Sequence, residues 1–386
     1  MKKVGLITYY GENYGGMLQA YALQQYVKNI GYDCKIISND FLYIQTKQQR
    51  NKHLIGNVKA LLKNPFDYMK RRNAIRSYAN ENAMKSARFQ EFLTKNIEID
   101  YNGYTCYDQF LQKPPQYDVY LCGSDQIWNP NLYHSNGFYF ADFAPENYVA
   151  ASYASSIGIS SVTTEQADFM RPYLNKLDLI STRETDGAKI VEEITGKKAR
   201  TVIDPTLLLN DEQWSKVSAK PLFDEPYIFC YLFSERDYIE KVKKTVKELT
   251  GMKLVCIPYA PREFLSDDEK VFDAGPAEFI SLVKNASLVL TDSFHATVFS
   301  INLKTPFISL CRFSKIDAKG MNSRLTTILG ALDLEDRLLD ENDEIVKEIL
   351  FDIDFEKTHK ALNELRKNDS DFLKEILEYE KGNENA

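Results

Sequence analysis

The sequence is poor in cysteine, in histidine and in long apolar runs, and each shortage argues against a class of protein. Its apolar runs all fall short of the roughly 18 residues that a membrane-spanning helix needs. The apolar stretch after Met1 stops at Gly11, which is too early for a secretory signal peptide. The six cysteines are scattered singly, without a Cys-x-x-Cys pair, and there are only four histidines, so a structural zinc site is not expected. These features favour a cytoplasmic protein with buried, reduced thiols.

The composition provides enough apolar sequence for large hydrophobic cores. Hydrophobic residues make up 44% of the 386 residues, which excludes global disorder. At about 150 residues per domain, this length corresponds to two or three domains. The 48 Lys and Arg residues are outnumbered by 55 Asp and Glu residues, and the net charge of −7 argues against a nucleic-acid partner.

Short strand-like runs alternate with helical patterns along most of the chain, which predicts an α/β protein with parallel sheets. We place an N-terminal lobe at residues 1–180, with a basic helical insert at 45–95, and a C-terminal lobe at 181–350. The stretch 209–226, which interrupts this alternation, is a candidate hinge. The last segment, 351–386, carries an apolar stripe at helical spacing, so we expect a helix with one buried face.

Two polar loops follow predicted strands in the first half of the chain. Loop 11–16 precedes a predicted helix, and its glycines and exposed amides are suited to an anion, although a tight turn that merely needs glycine explains it as well. Loop 123–130 follows the strand at 117–122. Its polar side chains and Trp128 suit a hydroxyl-rich ligand, because an indole can cover the face of a sugar. A capped helix start with Trp128 in the core is the alternative.

A third polar segment, 291–295, ends a predicted strand and begins a helix. Here His295 can act as an acid or base near neutral pH, and Asp292 is placed to influence its proton. A neutral histidine that merely fills a helix start is the alternative. Arg183 and Arg324 can each hold a phosphate or carboxylate through two parallel hydrogen bonds, although such arginines more often form ion pairs.

Taken in order, these segments resemble the polysaccharide pyruvyl transferase family. The resemblance extends over roughly residues 4–340, and its most specific part is the run Gly123-Ser124-Asp125-Gln126-Ile127-Trp128-Asn129-Pro130. The other matching segments are residues 4–10, Asn13-Tyr14-Gly15-Gly16, Leu18-Gln19-Ala20-Tyr21-Ala22-Leu23-Gln24, Tyr117-Asp118, Tyr153-Ala154-Ser155-Ser156-Ile157-Gly158, Arg183-Glu184, Asp204-Pro205-Thr206-Leu207-Leu208, Thr291-Asp292-Ser293-Phe294-His295 and Arg324.

The resemblance implies two Rossmann-like lobes that face each other across a cleft, as in GT-B glycosyltransferases, with a C-terminal helix that crosses back to the first lobe. Well-studied members transfer pyruvate from phosphoenolpyruvate to a sugar of a surface polysaccharide precursor, forming a cyclic ketal. The first lobe would then hold the sugar acceptor, a lipid-linked or free oligosaccharide, and the second lobe would hold phosphoenolpyruvate. Phosphoenolpyruvate would be a co-substrate, and we expect no other cofactor and no metal.

The same resemblance gives each candidate residue a role. The catalytic residues would be His295, as acid or base, and Asp292. Phosphoenolpyruvate would be bound by Arg183, Arg324, Ser293 and Phe294, and the acceptor by Asn13, Gly15, Gly16, Asp125, Gln126 and Trp128. One position departs from the family pattern, because Ser293 stands where better-understood members have an arginine. The site has therefore lost one expected cation, or Arg324 or Arg312 replaces it.

Two other functions stay open at this point. One is a GT-B-type glycosyltransferase that uses a nucleotide sugar. Asp352-Ile353-Asp354 has the Asp-x-Asp pattern of a metal–sugar site, but its position at the entry to the terminal helix argues against that role. The other is a non-catalytic module that binds polysaccharide, against which the combination of His295, Arg183 and Arg324 argues.

The basic insert allows a contact with membranes. Nine basic residues lie between Lys47 and Arg76 against a single acidic residue, Asp67, and Leu54, Val58, Leu61 and Leu62 give an apolar stripe at helical spacing. Such a segment can lie on the anionic inner face of the cytoplasmic membrane, where it would meet a lipid-linked acceptor. Alternatively, the stripe packs on the first lobe and the charges are solvated.

Overall fold

The structure is a computed structural model that describes residues 1–45, 76–132, 136–259, 262–312 and 322–381. The proposed membrane-contacting segment, Lys47–Arg76, lies outside the described residues except for Arg76, so the membrane contact stays a prediction. Within the described ranges, the helices are all too short or too polar to cross a membrane.

The first lobe is built on a parallel sheet with the strand order β3-β2-β1-β4-β5. Its strands are β1 (Lys3–Ile7), β2 (Asp33–Ile37), β3 (Ile99–Asp100), β4 (Val119–Cys122) and β5 (Val149–Ser152). In the register of the central strands, Val4 pairs with Cys34 on one side and with Val119 on the other. All three side chains are buried, as expected for a parallel sheet covered on both faces.

The second lobe repeats this arrangement with the strand order β10-β9-β8-β11-β12-β13, again all parallel. Its strands are β8 (Tyr227–Tyr231), β9 (Lys253–Cys256), β10 (Glu269–Lys270), β11 (Leu288–Thr291), β12 (Phe307–Leu310) and β13 (Leu338–Leu339). The two parallel sheets with their covering helices confirm the expected α/β class with two Rossmann-like lobes.

The division between the lobes differs from the expected one at residues 180 and 181. Two short strands, β6 (Ser181–Thr182) and β7 (Arg200–Thr201), pair with each other in parallel. The segment of β6 continues the first sheet, because parallel bridges join Ala151 to Leu179 and Ser155 to Thr182. The first lobe therefore extends through β7.

In the described ranges, helices alternate with these strands, and two more helices follow the last strand. The helices are α1 (Tyr14–Asn29), α2 (Asp40–Gln45), α3 (Ala79–Asn96), α4 (Tyr107–Gln112), α5 (Thr164–Leu174), α6 (Thr185–Thr195), α7 (Asp211–Ser215), α8 (Asp237–Thr250), α9 (Pro276–Lys284), α10 (Phe294–Asn302), α11 (Ser323–Ala331), α12 (Lys347–Phe351) and α13 (Phe355–Glu378). Helix α1 begins after Asn13, whose side chain accepts a hydrogen bond from the Gly16 amide and so caps the helix. This cap fixes the chain direction where β1 ends.

One hydrophobic cluster extends across both lobes, and each lobe also has a cluster of its own. Tyr14 at the start of α1 stacks on Phe279 of α9 with ring centroids 4.8 Å apart, and its hydroxyl donates a 2.6 Å hydrogen bond to the Ala274 carbonyl. Buried residues of both lobes belong to the same continuous apolar cluster. The lobes are therefore packed against each other around α1 and α9.

The last helix, α13, crosses from the second lobe to the first, as expected. Near its start, His359 Nε2 hydrogen-bonds the Ile301 carbonyl of α10 in the second lobe. Further along, Asp369 accepts a 2.8 Å hydrogen bond from the Ile203 amide, and Ser370 hydrogen-bonds Tyr26 of α1. Its apolar face is buried, which accounts for the stripe seen in the sequence.

Candidate active site

The polar segments singled out in the sequence meet where the strands of the two sheets end. Asp125 follows β4, Arg183 follows β6, and His295 lies in the first turn of the helix after β11. This is the position at which open α/β sheets bind ligands. A pocket in front of His295, called the front pocket, is lined by Asn13, Gly15, Asp125, Gln126, Tyr231, Phe233, Asp292, Ser293, Phe294, His295, Arg312, Asn322, Arg324 and Leu325.

His295 is held against the first lobe and is only 9% exposed. A Cβ atom on Gly15 would lie 2.0 Å from its Nδ1, so the imidazole occupies space that only a glycine leaves free. Burial, with smaller contributions from Arg183 and Arg324, lowers the pKa of His295 to about 4, although Asp204 and Asp125 act in the opposite direction. The unliganded site therefore holds a neutral imidazole at pH 7, which can accept a proton.

The carboxylate beside His295 is that of Asp204, not that of Asp292. Asp204 Oδ2 lies 3.8 Å from His295 Nε2. Asp292 instead accepts hydrogen bonds of 2.8 and 2.9 Å from the amides of Phe233 and Ser234. The Asp292 side chain is thus directed at the loop after β8. The expectation that it influences the proton of His295 is not supported by this geometry, although it lines the front pocket.

Asp204 was not among the expected site residues. It is buried and accepts hydrogen bonds from Arg183 Nη1 at 2.7 Å, from Ser124 Oγ at 3.2 Å and from both the amide and the hydroxyl of Thr206. Burial would raise the pKa of Asp204, but Arg183 and His295 hold it below its usual range. The signal that could have identified it is its segment, residues 204–208, which was part of the family resemblance.

Arg183 lies behind the histidine. Its Nη1 is 3.5 Å from His295 Nε2, and its Nη2 is 3.5 Å from Asp125 Oδ1. The guanidinium carbon also lies 4.4 Å from the centroid of the Phe294 ring. Among the described residues, Arg183 lines a second cavity together with Val202 and other side chains, and it does not line the front pocket. It was expected to bind phosphoenolpyruvate, but its nearest anions are carboxylates of the protein.

Among the described residues, the cations that line the front pocket are Arg324 and Arg312. Arg324, at the start of α11, is only 8% exposed, and its Nε has no hydrogen-bond partner in the described structure. Burial, followed by repulsion from Arg183, lowers the pKa of Arg324 to about 10. Arg312 donates from Nε to the Asp292 carbonyl at 2.8 Å and lies over the Phe233 ring at 4.2 Å. Arg324 has no carboxylate partner within 4.0 Å among the described residues, and a buried arginine of this kind is suited to an anionic ligand.

Helix α10 supplies the remaining side chains expected to bind phosphoenolpyruvate. Ser293 is its N-cap, and its hydroxyl accepts a long hydrogen bond from the Ala296 amide at 3.5 Å. Phe294 is buried between the guanidinium groups of Arg183 and Arg324, whose carbons lie 4.4 and 5.8 Å from its ring centroid. Both residues border the front pocket, so the start of α10 faces any ligand held there.

The residues expected to bind the acceptor divide into two groups. Asn13, Gly15, Asp125 and Gln126 line the front pocket from the first lobe. Asp125 has a left-handed backbone conformation with φ of 66°, which is uncommon for a non-glycine residue and typical of functional sites. Gly16 is buried within the first turn of α1 and is not part of the pocket lining as described, so its role is structural.

Trp128 is not available to a ligand. Its side chain is fully buried, its ring stacks on Phe140 with centroids 5.4 Å apart, and its Nε1 donates a 2.9 Å hydrogen bond to the Tyr139 carbonyl. The expectation that this indole covers the acceptor sugar is therefore wrong. The alternative given for loop 123–130, with Trp128 in the core, is the observed one, because the turn 138–140 covers the indole.

The Asp-x-Asp letters near the end of the chain also have structural roles. Asp354 caps α13 by accepting a 2.9 Å hydrogen bond from the Lys357 amide, and the Asp352 carbonyl accepts a hydrogen bond from Arg337. Neither residue borders the front pocket as described. The motif therefore gives no support to a metal-dependent glycosyltransferase.

His295, Arg183 and Arg324 are buried where the strands of two parallel sheets end, in a two-lobed fold of the GT-B-like class. The family model for polysaccharide pyruvyl transferase matches residues 13–310. The chain therefore belongs to the polysaccharide pyruvyl transferase family, which acts in polysaccharide biosynthesis. This confirms the resemblance drawn from the sequence motifs.

Comparison with solved structures gives distant matches over nearly the whole chain. The UDP-GlcNAc 2-epimerase from Methanocaldococcus jannaschii in complex with UDP-GlcNAc and UDP is 13% identical, with a TM-score of 0.47 over 97% of this chain and 99% of that chain. The S. aureus MnaA-UDP co-structure is 12% identical, with a TM-score of 0.49 over 95% and 88%. MurG from Acinetobacter baumannii is 9% identical, with a TM-score of 0.44 over 97% and 100%. No curated protein matches the sequence.

Proposed function

We propose that this chain transfers pyruvate from phosphoenolpyruvate to a sugar of a surface polysaccharide precursor, forming a cyclic ketal. The observation that carries the proposal is Arg324, a buried arginine without a hydrogen-bond partner for its Nε, in the same pocket as the neutral His295. Phosphoenolpyruvate carries a phosphate and a carboxylate, the two anions that a guanidinium binds best.

The reaction requires two protons to move. The two sugar hydroxyls lose one proton each as they bond to the carbon that carries the phosphate. One proton goes to the methylene carbon of the enol phosphate, which becomes a methyl group, and the other leaves with the phosphate. His295 is the group proposed to give a proton to the methylene carbon, which makes the carbon that carries the phosphate electrophilic, and then to take the proton of the attacking hydroxyl.

Binding of phosphoenolpyruvate would prepare the histidine to donate the first of these protons. The negative charges of phosphoenolpyruvate favour the protonated form of a neighbouring imidazole, so the pKa of His295 rises from its low value in the free site. Asp204 lies 3.8 Å from Nε2 and would stabilise the resulting positive charge. Asp125 and Arg183 extend this network into the first lobe.

The serine at position 293 changes how phosphoenolpyruvate would be held. Arg312 borders the front pocket from the end of β12 and lies over Phe233, so it can replace the arginine that family members have two residues before the histidine. We therefore assign the anions to Arg324 and Arg312, assisted by the N-terminus of α10. Arg183 would act from behind, by orienting Asp125 and His295.

A binding panel tests the proposal directly. We expect phosphoenolpyruvate to raise the melting temperature of the parent chain, and Arg324→Gln to abolish this rise. Arg262→Gln is the matched control, because Arg262 is paired with Asp237 outside the front pocket. A panel in which UDP-sugars stabilise the chain and phosphoenolpyruvate does not would contradict the proposal and favour a glycosyltransferase. Stabilisation by polysaccharide fragments alone would favour a binding module.

Turnover is the second part of the test. Incubation with phosphoenolpyruvate and an oligosaccharide acceptor should release inorganic phosphate and give a pyruvylated sugar by mass spectrometry. His295→Ala should lower the rate by about 10²–10⁴-fold in a folded protein. A folded His295→Ala variant with the parent's rate would remove the histidine from the mechanism.

A further inference from the structure

Two aromatic side chains of the second lobe contact each other at the front pocket, and one of them belongs to its lining. Phe233, after β8, borders the pocket, and Tyr259, after β9, lies next to it with ring centroids 4.4 Å apart and an interplanar angle of 59°. We call these two rings the aromatic shelf. Tyr259 is 58% exposed, so its side chain is accessible to a ligand.

The backbone of the shelf is fixed although one of its rings is open to solvent. The Phe233 amide donates a 2.8 Å hydrogen bond to Asp292, which ties it to the pocket. The Tyr259 amide donates a 2.9 Å hydrogen bond to Glu263, a residue that is only 3% exposed. A rigid backbone that presents an aromatic face to solvent binds a ligand at a low cost in conformational entropy.

The aromatic shelf provides an aromatic surface, which the described first-lobe wall of the front pocket lacks. Trp128 was expected to cover the acceptor sugar, but it is buried, and the described first-lobe wall of the pocket consists of the small or polar residues Asn13, Gly15, Asp125 and Gln126. A pyranose has C–H groups on a face and hydroxyls around its rim, so it needs an aromatic ring as well as polar partners. In the described structure, that ring lies on the second-lobe side.

We propose that Tyr259 binds the sugar next to the one that receives pyruvate, so that the acceptor is recognised as a disaccharide or a longer chain. This inference rests on the proposed function, because it places the reacting sugar in the front pocket against Phe233. Tyr259 is the adjacent ring, one step further from His295. A flat nucleobase fits this geometry less well, since rings inclined by 59° do not form a parallel slot.

The experiment measures sugar binding by saturation-transfer NMR in the presence of phosphoenolpyruvate. The probes are glucose, galactose and mannose, and the disaccharides cellobiose, lactose and mannobiose. We expect a disaccharide to bind more tightly than its component sugars, and Tyr259→Ala to weaken that disaccharide about five- to tenfold with little effect on the monosaccharides. Tyr259→Phe should keep most of the affinity, because the ring remains.

Tyr101→Ala is the matched control, since Tyr101 is 66% exposed and follows β3 of the other sheet. It should bind every probe like the parent. Equal disaccharide binding by the parent and Tyr259→Ala, or no binding of any probe by the parent, would overturn the inference. So would UDP binding that is lost in Tyr259→Ala. If phosphoenolpyruvate fails to stabilise the chain while disaccharide binding still depends on Tyr259, the proposed function is contradicted. The sugar-binding role of Tyr259 is then still supported.

Discussion

The charge of His295 in the free protein can be measured through stability. Burial lowers its pKa from 6.5 to about 4, so as the pH falls below 6.5 the unfolded chain takes up a proton that the folded chain does not. The free energy of unfolding is thus unaffected by this group above pH 6.5 and decreases as the pH falls toward 4. Between pH 7.5 and 5, the loss should be about 2 kcal/mol greater for the parent than for His295→Asn. Urea unfolding at both pH values measures it. The other three histidines are present in both the parent and His295→Asn, so their effect cancels in the comparison. Equal losses of unfolding free energy in the two proteins would show that His295 titrates normally.

A second residue-scale prediction concerns the shape of the guanidinium at position 324. Lysine keeps the charge but cannot form two parallel hydrogen bonds to a phosphate or carboxylate. We expect Arg324→Lys to lower kcat/KM for phosphoenolpyruvate about 100-fold, which is about 2.7 kcal/mol. Steady-state phosphate release measures it, with Arg171→Lys on the exposed side of α5 as control. Full activity of Arg324→Lys would mean that Arg324 does not bind an anion through two parallel hydrogen bonds.

At the scale of the element, the start of α1 decides where the imidazole lies. The close approach of Gly15 to His295 means that Gly15→Ala must displace either the ring or the helix. We expect turnover to fall about 100-fold, because a shift of about 1 Å at a catalytic group has that effect. Gly330→Ala is the control, since its Cβ would meet only side-chain atoms of Glu335, at 3.4 Å or more. Circular dichroism should show both variants folded. Full activity of Gly15→Ala would show that the imidazole of His295 can move away from the added methyl group without loss of function.

At the scale of the whole molecule, the shared core and the crossing of α13 make the two lobes unfold together. Leu373 of α13 is fully buried, and Leu373→Ala should cost about 2–5 kcal/mol. Lys374→Ala, at the neighbouring half-buried position, should cost little, because its side chain reaches solvent and pairs with Asp371. The chain has two tryptophans, Trp128 in the first lobe and Trp214 packed on Phe299 of α10. In variants that keep only one tryptophan, fluorescence should therefore show the same unfolding transition for both lobes. Leu373→Ala should shift that transition equally in both variants.

Deleting the residues after Asp354 extends this test. The truncated chain should lose stability in the first lobe as well as the second, because α13 contacts Tyr26 and Ile203 of the first lobe and Ile301 of the second. Two separate transitions, or a truncated chain that melts like the full one, would contradict a common core.

Much of this architecture follows from local sequence patterns. Strand-like runs followed by polar loops predicted the parallel sheets, and they placed Asp125 and His295 at strand ends, because parallel strands carry their ligands at one edge. The amphipathic stripe from Phe355 to Ile376 predicted a buried helix face. These features depend on residues close together in the sequence, so they can be derived without the tertiary structure.

Tertiary packing decided which side chains face the site. Asp204, rather than Asp292, lies beside His295, because β7 and the turn after it are brought against α10 by contacts between segments about 90 residues apart. Trp128 is buried because the turn 138–140 packs over it, and Tyr259 is exposed beside the pocket. Sequence position thus determined that a polar residue stands at the end of a strand. The direction in which its side chain points depends on long-range packing, which no local pattern encodes.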